Sequence, residues 1–172
     1  MPRTSAIYLV GMMGVGKSTV GVRLAERLGR VFIDTDQRVE EKAGRPIAEI
    51  FAAVGEAGFR KLEAEVVLAS GMDGAVIALG GGAVAQPGAI DRLLESGVVI
   101  YLEADPTVLV DRIGDLESRP LLAGLDRAAR VEKLSCLLEE RGPFYRRAGI
   151  CVESVGTANE VVERILDELA TA

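Results

Sequence analysis

A nine-residue stretch near the start of the chain, GMMGVGKST at 11–19, restricts the possible folds more than any other feature. It matches the phosphate-binding pattern G-x-x-x-x-G-K-[ST]. The fixed positions are Gly11, Gly16, Lys17 and Ser18. An apolar strand candidate at 6–10 precedes the motif, and an amphipathic helical pattern follows it. A P-loop requires this strand and helix on either side, whereas a chance glycine-rich turn does not. The sequence therefore predicts a P-loop that binds a nucleoside triphosphate.

Each residue type in this motif has a physical role in holding phosphate. Glycines let consecutive backbone N–H groups turn toward phosphate oxygens, and the helix N-terminus adds partial positive charge. Lys17 is expected to reach the β- and γ-phosphates, and the Ser18 hydroxyl is expected to ligate Mg²⁺. The ATP-binding residues predicted from this segment are Gly14, Val15, Gly16, Lys17, Ser18 and Thr19.

Strand-like and helix-like segments alternate along the whole chain. Most strand candidates are continuously apolar, as strands buried on both faces are. They lie at 6–10, 31–34, 75–79, 98–102 and 149–153. Helical patterns lie at about 17–28, 36–43, 47–70, 87–95, 105–113, 127–140 and 158–170. Since no linker divides the chain, we predict one domain over 1–172, a three-layer α/β/α sandwich on a five-stranded parallel sheet.

Composition excludes several classes of function. The net charge of −6 argues against nucleic acid as a general partner, and the longest apolar runs are too short to cross a membrane. The N-terminus lacks the features of a signal peptide, so we expect a cytoplasmic protein, and a monomer because no long apolar stripe stands out. Cys136 and Cys151 are expected to be free, buried thiols, and with no histidine in the chain a zinc site is not expected.

Two carboxylates, Asp34 and Asp36, lie on either side of one threonine in FIDTD, at the end of a strand candidate. Alternate residues of a strand point to the same side, so both carboxylates are expected to face one way. The chain contains no histidine, so the usual general base is lacking. The pair therefore calls for a chemical explanation.

Three segments are expected to converge at one edge of the sheet, because ligands bind beyond the carboxyl ends of parallel strands. They are the P-loop, the Asp pair and the run Gly80-Gly81-Gly82, which ends strand 75–79. A triple glycine is either a tight turn or a place where a substrate contacts bare backbone N–H groups. Its position at this edge favours the second interpretation.

Two arginines add a further constraint on the ligand. Arg60 lies in GEAGFRKLE, and Arg141 lies in EERGPFY beside a Gly-Pro that is expected to end a helix. Surface salt bridges explain most arginines, but arginine is also the residue that binds a carboxylate bidentately. Two arginines beside an Asp pair suggest an acceptor that carries both a carboxylate and hydroxyls.

The segment 114–125, GDLESRPLLAGL, is longer than a typical connection and is bounded by two glycines. It is either an ordinary surface connection or a lid that closes over bound ligands. The neighbouring motifs favour the lid.

Taken together, these motifs resemble those of the shikimate kinases. The matching pieces occur in the family's order and span residues 7–145; they are GMMGVGKST, FIDTD, IAEIFAAVGEAGFRKLE, LGGGAV, SRPLL and ERGPFY. The resemblance implies ATP-dependent phosphorylation of the 3-hydroxyl of shikimate, with Mg²⁺, in the pathway to aromatic amino acids. It also implies a fold like that of nucleoside monophosphate kinases, with a lid at about 114–125 and a shikimate-binding helical segment at about 36–63.

On the acceptor side, the resemblance implies a role for each matching residue. Asp36 matches the residue that holds the acceptor hydroxyls and is the candidate base. Arg60 and Arg141 match the ligands of the shikimate carboxylate. Gly81 and Gly82 lie in the matching backbone contact. Since phosphoryl transfer passes through a loose transition state, Asp36 can orient a hydroxyl and accept its proton late, which requires no histidine.

On the nucleotide side, Asp34 matches a residue linked to the magnesium shell that Ser18 also joins. Arg119 matches a lid arginine that reaches the phosphates, and Arg112 matches an arginine beside the adenine. The resemblance therefore implies that Lys17 and Arg119 act in catalysis with Asp36. The adenine-side loop is expected near SVGTAN at 154–159.

The chain departs from the family at 146–149, where RRAG replaces an acidic pair that precedes a small residue and Asp. These positions are expected to face solvent. Other small P-loop kinases, acting on gluconate or nucleoside monophosphates, are an alternative, as is a regulatory domain that hydrolyses nucleotide slowly. A regulator would have no need of the arginine pair. A GTPase is excluded because GGG at 80–82, rather than a D-x-x-G turn, follows strand 75–79 and because the chain contains no guanine-recognition motif.

Overall fold

The computed structural model describes residues 5–69, 74–114 and 120–171. Its sheet contains five strands, all paired in parallel, in the order β2-β3-β1-β4-β5. The strands are β1 (Ala6–Val10), β2 (Phe32–Asp34), β3 (Val76–Ala78), β4 (Gly97–Glu103) and β5 (Ile150–Glu153). The predicted five-stranded parallel α/β fold is confirmed.

Helices connect consecutive strands, as parallel pairing requires. The helices are α1 (Lys17–Leu28), α2 (Thr35–Ala43), α3 (Ile47–Ala69), α4 (Ala89–Ser96), α5 (Pro106–Arg112), α6 (Arg127–Tyr145) and α7 (Ala158–Thr171). Short 3₁₀ turns lie at Ala83–Ala85 and Pro120–Leu122. Within the part of the chain that the structure describes, no helix has both the length and the apolar character needed to span a membrane.

The central position of β1 determines where the P-loop lies. All five residues of β1 are buried, and the strand pairs with β3 on one side and β4 on the other. Ile7 is in register with Val76 and with Val98. The loop that follows β1 therefore lies at the middle of the carboxyl edge, where ligands bind in such sheets.

Helix α3 is interrupted, whereas the sequence predicted one continuous helix over 47–70. Gly55 has φ 68° and ψ −179°, a conformation that glycine adopts far more readily than other residues. Both parts of α3 pack with α2 in a second, smaller core, made of Val39, Ile50, Phe59 and Val66. The part after Gly55 carries Arg60.

Helix α6 continues through Gly142-Pro143 to Tyr145, so the prediction that this Gly-Pro ends the helix is wrong. A proline inside a helix removes one N–H donor and crowds the preceding turn, which destabilises the helix. Arg141 and Tyr145, which lie on either side of the Gly-Pro, are both buried. Tertiary packing of this last turn therefore outweighs the local preference of proline.

Cys136 and Cys151 are free, as predicted, but both are exposed, so the prediction of buried thiols is wrong. Cys151 lies on β5, the edge strand, in which buried and exposed residues alternate. A strand at the edge of the sheet keeps one face in contact with solvent, and Cys151 lies on that face.

The contact between α1 and β2 gives a first prediction. A Cβ added at Gly21 would lie 2.3 Å from Cε2 of Phe32 and 3.2 Å from Cδ1 of Leu9. Gly21→Ala should therefore lower the free energy of unfolding by about 1–3 kcal/mol through overpacking, although the same change stabilises most exposed helices. Urea denaturation measures this difference.

Gly149→Ala is the matched control, because a Cβ there meets nothing within 4 Å. This control should change the free energy of unfolding by less than about 0.5 kcal/mol. If the two variants are equally stable, the α1–β2 contact is looser than the structure indicates.

Candidate active site

The P-loop joins β1 to α1 and is built around glycines that no other residue could replace without movement. Gly16, the N-cap of α1, has φ 98°. A Cβ at Gly11 would lie 2.4 Å from the carbonyl oxygen of Leu102 on β4. The loop is thus packed against the neighbouring strand. The first turn of α1 follows it directly, which orients backbone N–H groups for phosphate.

Lys17 extends its ammonium group across this loop. Its Nζ donates hydrogen bonds to the carbonyl oxygens of Gly11 at 2.8 Å and Met12 at 3.1 Å. The residue also lines the main cavity at the carboxyl edge of the sheet. The predicted phosphate ligands Gly14, Gly16, Ser18 and Thr19 line the same cavity.

Ser18 and Asp34, which are predicted to act at one metal, are in direct contact. The Ser18 hydroxyl donates to Oδ2 of Asp34 at 2.5 Å. The other carboxylate oxygen, Oδ1, accepts from the backbone N–H groups of Asp36 at 3.0 Å and Gln37 at 3.4 Å. Asp34 is therefore both the last residue of β2 and the N-cap of α2, which fixes its carboxylate beside the P-loop.

Asp36 reaches the cavity by a different route from the one predicted. Strand β2 ends at Asp34 and α2 begins at Thr35, so Asp36 lies in the first turn of a helix and strand alternation does not apply to it. The two carboxylates nevertheless line the same cavity. The threonine between them is fully buried, and its hydroxyl accepts a hydrogen bond from the N–H of Gly80 at 3.0 Å. Thr35 thereby ties β2 to the glycine run.

The three glycines provide room for charged side chains. A Cβ at Gly80 would lie 2.3 Å from Oε1 of Glu63 and 2.6 Å from Oδ1 of Asp36. A Cβ at Gly82 would lie 2.4 Å from Nη2 of Arg60. At Gly81 the nearest atoms would be 3.5 Å away, an ordinary contact. Close approach of the protein's own side chains is thus a requirement for glycine that the sequence did not reveal.

Arg60 is held by two glutamates of the same helix. Its Nη1 lies 2.7 Å from Oε2 of Glu63, and its Nη2 lies 3.2 Å from Oε1 of Glu56. Only 2% of the Glu63 side chain is exposed, against 58% for Glu56. Burial raises the pKa of Glu63, an effect that the positive charge of Arg60 opposes and that Asp36 reinforces. Burial alone would lower the pKa of Arg60, but the two glutamates raise it.

Arg141 enters the cavity from α6. Its side chain is buried, and Tyr145, one helical turn further on, is buried completely. The Tyr145 hydroxyl donates to the carbonyl oxygen of Gly81, and its ring stacks on Tyr101 with centroids 5.1 Å apart. Burial raises the pKa of Tyr145 to about 12, although Arg141 acts to lower it.

Arg112 lies on the far side of the P-loop. It lies in the last turn of α5, and its Nη1 donates to the Ser154 hydroxyl at 3.3 Å. Ser154 in turn donates to the carbonyl oxygen of Val15 at 2.7 Å. Arg112 is therefore next to the loop predicted at 154–159, but it does not line the main cavity.

The segment predicted as a lid is only partly described. Arg119 and the rest of 115–119 lie outside the described residues. Leu121, in the described part of the segment, lines the cavity beside the P-loop and the arginines. In the departure from the family pattern, Arg146, Arg147 and Gly149 are exposed, as expected, and Arg147 pairs with Asp91.

Sequence reasoning did not identify four residues that organise the site, namely Thr35, Glu63, Tyr145 and Ser154. Glu63 and Tyr145 each lie three or four positions from a predicted arginine, which places them on the same helical face. That spacing was a usable signal. Thr35 and Ser154 act through contacts between distant segments, which no local pattern reports.

Known proteins resemble this chain in both sequence and fold. The family model for shikimate kinase matches residues 13–170. The chain is 48% identical to the shikimate kinase of Symbiobacterium thermophilum over 169 residues, 95% of each protein. It is 54% identical to that of Mycobacterium avium over 142 residues, which cover 81% of this chain and 78% of that protein. The chain belongs to the shikimate kinase family.

Solved structures agree with this assignment. Shikimate kinase from Acinetobacter baumannii, in complex with shikimate, superimposes with a TM-score of 0.92 at 38% identity, over 98% of this chain and 94% of that one. A gluconokinase from Sinorhizobium meliloti gives a TM-score of 0.62 at 20% identity, which reflects the fold alone. The predicted fold, family and enzyme class, a kinase that transfers phosphate from ATP to shikimate, are confirmed.

The two glutamates on Arg60 provide a test of the site's electrostatics. Glu63→Ala should lower the free energy of unfolding of this shikimate kinase by about 3 kcal/mol, because it leaves a mostly buried guanidinium without its main partner. Glu56→Ala should cost less than about 1 kcal/mol, since that glutamate is exposed. Urea denaturation of both variants compares the contributions of a buried and an exposed glutamate that pair with the same arginine. Equal losses would mean that burial does not determine the strength of these pairs.

Proposed function

We propose that the main cavity is where this shikimate kinase transfers the γ-phosphoryl group of ATP to the 3-hydroxyl of shikimate, giving 3-phosphoshikimate and ADP. The observation that carries the proposal is a single cavity lined by a phosphate-binding loop, two carboxylates and two arginines. A loop of this kind binds the donor nucleotide. The arginines and carboxylates match an acceptor with one carboxylate and several hydroxyls.

The P-loop residues from Gly14 to Thr19 bind the β- and γ-phosphates in this proposal. Lys17 now donates to two carbonyl oxygens of the loop, so its ammonium is already held close to where phosphates would lie. A positive charge at that point stabilises the negative charge of the transferring group more in the transition state than in the ground state.

The residues present fit Mg²⁺, which prefers hard oxygen ligands and retains several waters. Ser18 and Asp34 would hold it, because their oxygens already lie 2.5 Å apart at the mouth of the P-loop. When bound, the ion would neutralise part of the negative charge of the phosphates. Within the described ranges no group of three or more carboxylate, cysteine or histidine side chains could hold a metal ion.

Asp36 orients the 3-hydroxyl and accepts its proton as the bond to phosphorus forms. In a loose transition state the acceptor oxygen needs positioning more than early deprotonation, so a carboxylate is sufficient. Asp36 projects from the first turn of α2 toward Gly80, at the end of β3. Its carboxylate thus lies beside the glycine run, which supports its role toward the acceptor.

Arg60 and Arg141 bind the shikimate carboxylate, and the backbone at Gly81 and Gly82 contacts the hydroxyl-bearing ring of shikimate. The guanidinium groups come from α3 and α6 and line the same cavity. Within the described residues, no hydrogen bond uses the N–H of Gly81 or Gly82, so both donors can serve a ligand. In a chain with a net charge of −6, these two guanidinium groups offer an anionic acceptor its positively charged partners.

The family resemblance supports four further proposals. Segment 114–125 closes as a lid and brings Arg119 to the phosphates. Arg112 lies on the adenine side, and the helical segment 36–63 forms the shikimate-binding wall of a one-domain enzyme. The protein acts as a monomer in the cytoplasm.

The decisive experiment measures ADP release with separate acceptors. Shikimate should stimulate release strongly, whereas gluconate and nucleoside monophosphates should not. A shikimate analogue whose carboxylate is replaced by a neutral amide should lose about 2–5 kcal/mol of interaction, because neither guanidinium group could pair with a charged group on the ligand. Release stimulated by gluconate or by a nucleoside monophosphate would identify a different kinase. Slow release that no acceptor changes would identify a regulatory domain.

Asp36→Asn should lower kcat by about 100-fold or more while ATP binding remains unchanged, since the amide keeps the size of the side chain but cannot accept the proton. Turnover assays and calorimetry with each substrate measure the two effects. Glu41→Gln, on the exposed side of the same helix, is the control and should behave as wild type. If Asp36→Asn weakens ATP and shikimate equally, Asp36 has a structural role instead.

A further inference from the structure

Tyr145 is a buried polar residue that the proposed mechanism does not use. It is the last residue of α6, and none of its surface is exposed. The aromatic ring packs on Tyr101, with centroids 5.1 Å apart and an angle of 16° between the planes. A buried phenol hydroxyl needs a hydrogen-bond partner, and the carbonyl oxygen of Gly81 is that partner.

This hydrogen bond determines the orientation of one peptide group in the glycine run. The carbonyl of Gly81 and the N–H of Gly82 belong to the same peptide unit, and the described chain contains no cis peptide bond. In a planar trans peptide the two groups point in opposite directions. Because Tyr145 holds the carbonyl, the N–H of Gly82 must point away from α6.

A run of three glycines needs such an anchor more than other sequences do. Glycine has the widest choice of backbone conformations, so the run would otherwise sample many orientations. Thr35 accepts from the N–H of Gly80, and the carbonyl of Gly82 accepts from Ala85 at 3.2 Å. Tyr145 holds the carbonyl of Gly81, the central residue of the run. The three contacts together fix each residue of the run.

Arg141 lies close to the same hydroxyl. The two residues are four positions apart on α6, which places them on one face. The positive charge of Arg141 acts against the rise in the Tyr145 pKa that burial causes. A Cβ at Gly81 would be 3.7 Å from Nη1 of Arg141, which places all three groups side by side.

We propose that Tyr145 is a positioning residue for acceptor recognition. Its hydroxyl donates to the Gly81 carbonyl beside the Arg141 guanidinium, and so fixes the position of the Gly82 N–H relative to a carboxylate ligand. The proposal rests on the proposed function of this cavity. It deepens that function by naming the group that holds two substrate contacts at a fixed spacing. One is Arg141 on α6, and the other is the Gly82 N–H in the loop after β3.

Tyr145→Phe tests the proposal because it keeps the stacked ring and removes only the hydroxyl. The KM for shikimate should rise about tenfold, as expected for one hydrogen bond, while the KM for ATP changes less than about twofold. Discrimination between shikimate and its neutral amide should also fall, since the Gly82 N–H is no longer held at a fixed position relative to Arg141. In an Arg141→Ala background the same change should have a smaller effect, because one of the two contacts whose spacing it fixes is gone.

Tyr101→Phe is the matched control. Tyr101 is the other half of the stack and is buried, but it does not line the cavity. Its KM for shikimate should equal that of wild type. If Tyr101→Phe has the same effect as Tyr145→Phe, or if Tyr145→Phe raises both KM values equally, the tyrosine serves packing and the proposal is wrong.

A measurement on the free protein separates this proposal from the proposed function. The backbone amide signal of Gly82 in a ¹⁵N spectrum should shift or broaden in Tyr145→Phe, whereas that of Gly29, at the end of α1, should not. A shift at Gly82 in a protein that fails to phosphorylate shikimate would support the anchor and overturn only the function. An unchanged Gly82 signal would overturn the anchor whatever the activity is.

Discussion

The side chain of Glu63 is only 2% exposed to solvent, and the guanidinium of Arg60 lies beside its carboxylate. Neither charge would be tolerated there alone, because an unpaired buried ion is costly. Their pairing holds the guanidinium against the glycine run, and the backbone at Gly80 and Gly82 has to be bare to admit both groups. The part of the cavity that we propose to bind the acceptor therefore depends on one ion pair formed within a single helix.

The P-loop side depends on the sheet instead. The P-loop follows the fully buried central strand β1, and Gly11 packs against the β4 backbone, so the loop is held by the centre of the sheet. The contact between Ser18 and Asp34 joins this loop to β2. One side of the cavity is thus held by backbone packing, and the other by side-chain charges carried on helices.

The sequence was sufficient to predict the parallel sheet and the P-loop, because each depends on patterns local to one segment. Apolar runs identified the strands, and the spacing of Gly16, Lys17 and Ser18 identified the loop. Asp34, Asp36, Arg60 and Arg141 were also brought to one cavity, as expected. The reason given for Asp36 was wrong, because α2 begins one residue after the strand ends, a boundary that propensity does not determine.

The remaining differences come from tertiary contacts. Burial of Arg141 and Tyr145 carries α6 past Pro143, and the edge position of β5 exposes Cys151. Neither Thr35 nor Ser154 has a local signature, since each acts on a residue far away in the chain. Such contacts are visible only when the strands have been placed side by side.

The apolar part of the cavity has a consequence for protein engineering. Ile47, Phe51 and Phe59 line the cavity, and the two phenylalanine rings lie 4.6 Å apart. Phe59 belongs to the smaller core and lies under the Arg60 guanidinium, whereas Ile47 and Phe51 are only partly buried against that core. The side chains of Ile47 and Phe51 carry no charge and hold no hydrogen bond that a substitution would leave unpaired. A library intended to admit bulkier acceptors is therefore best directed at these two positions, because a side chain at Gly80 or Gly82 would collide with charged groups. Evolvability, in this molecule, is concentrated at the apolar positions of the cavity.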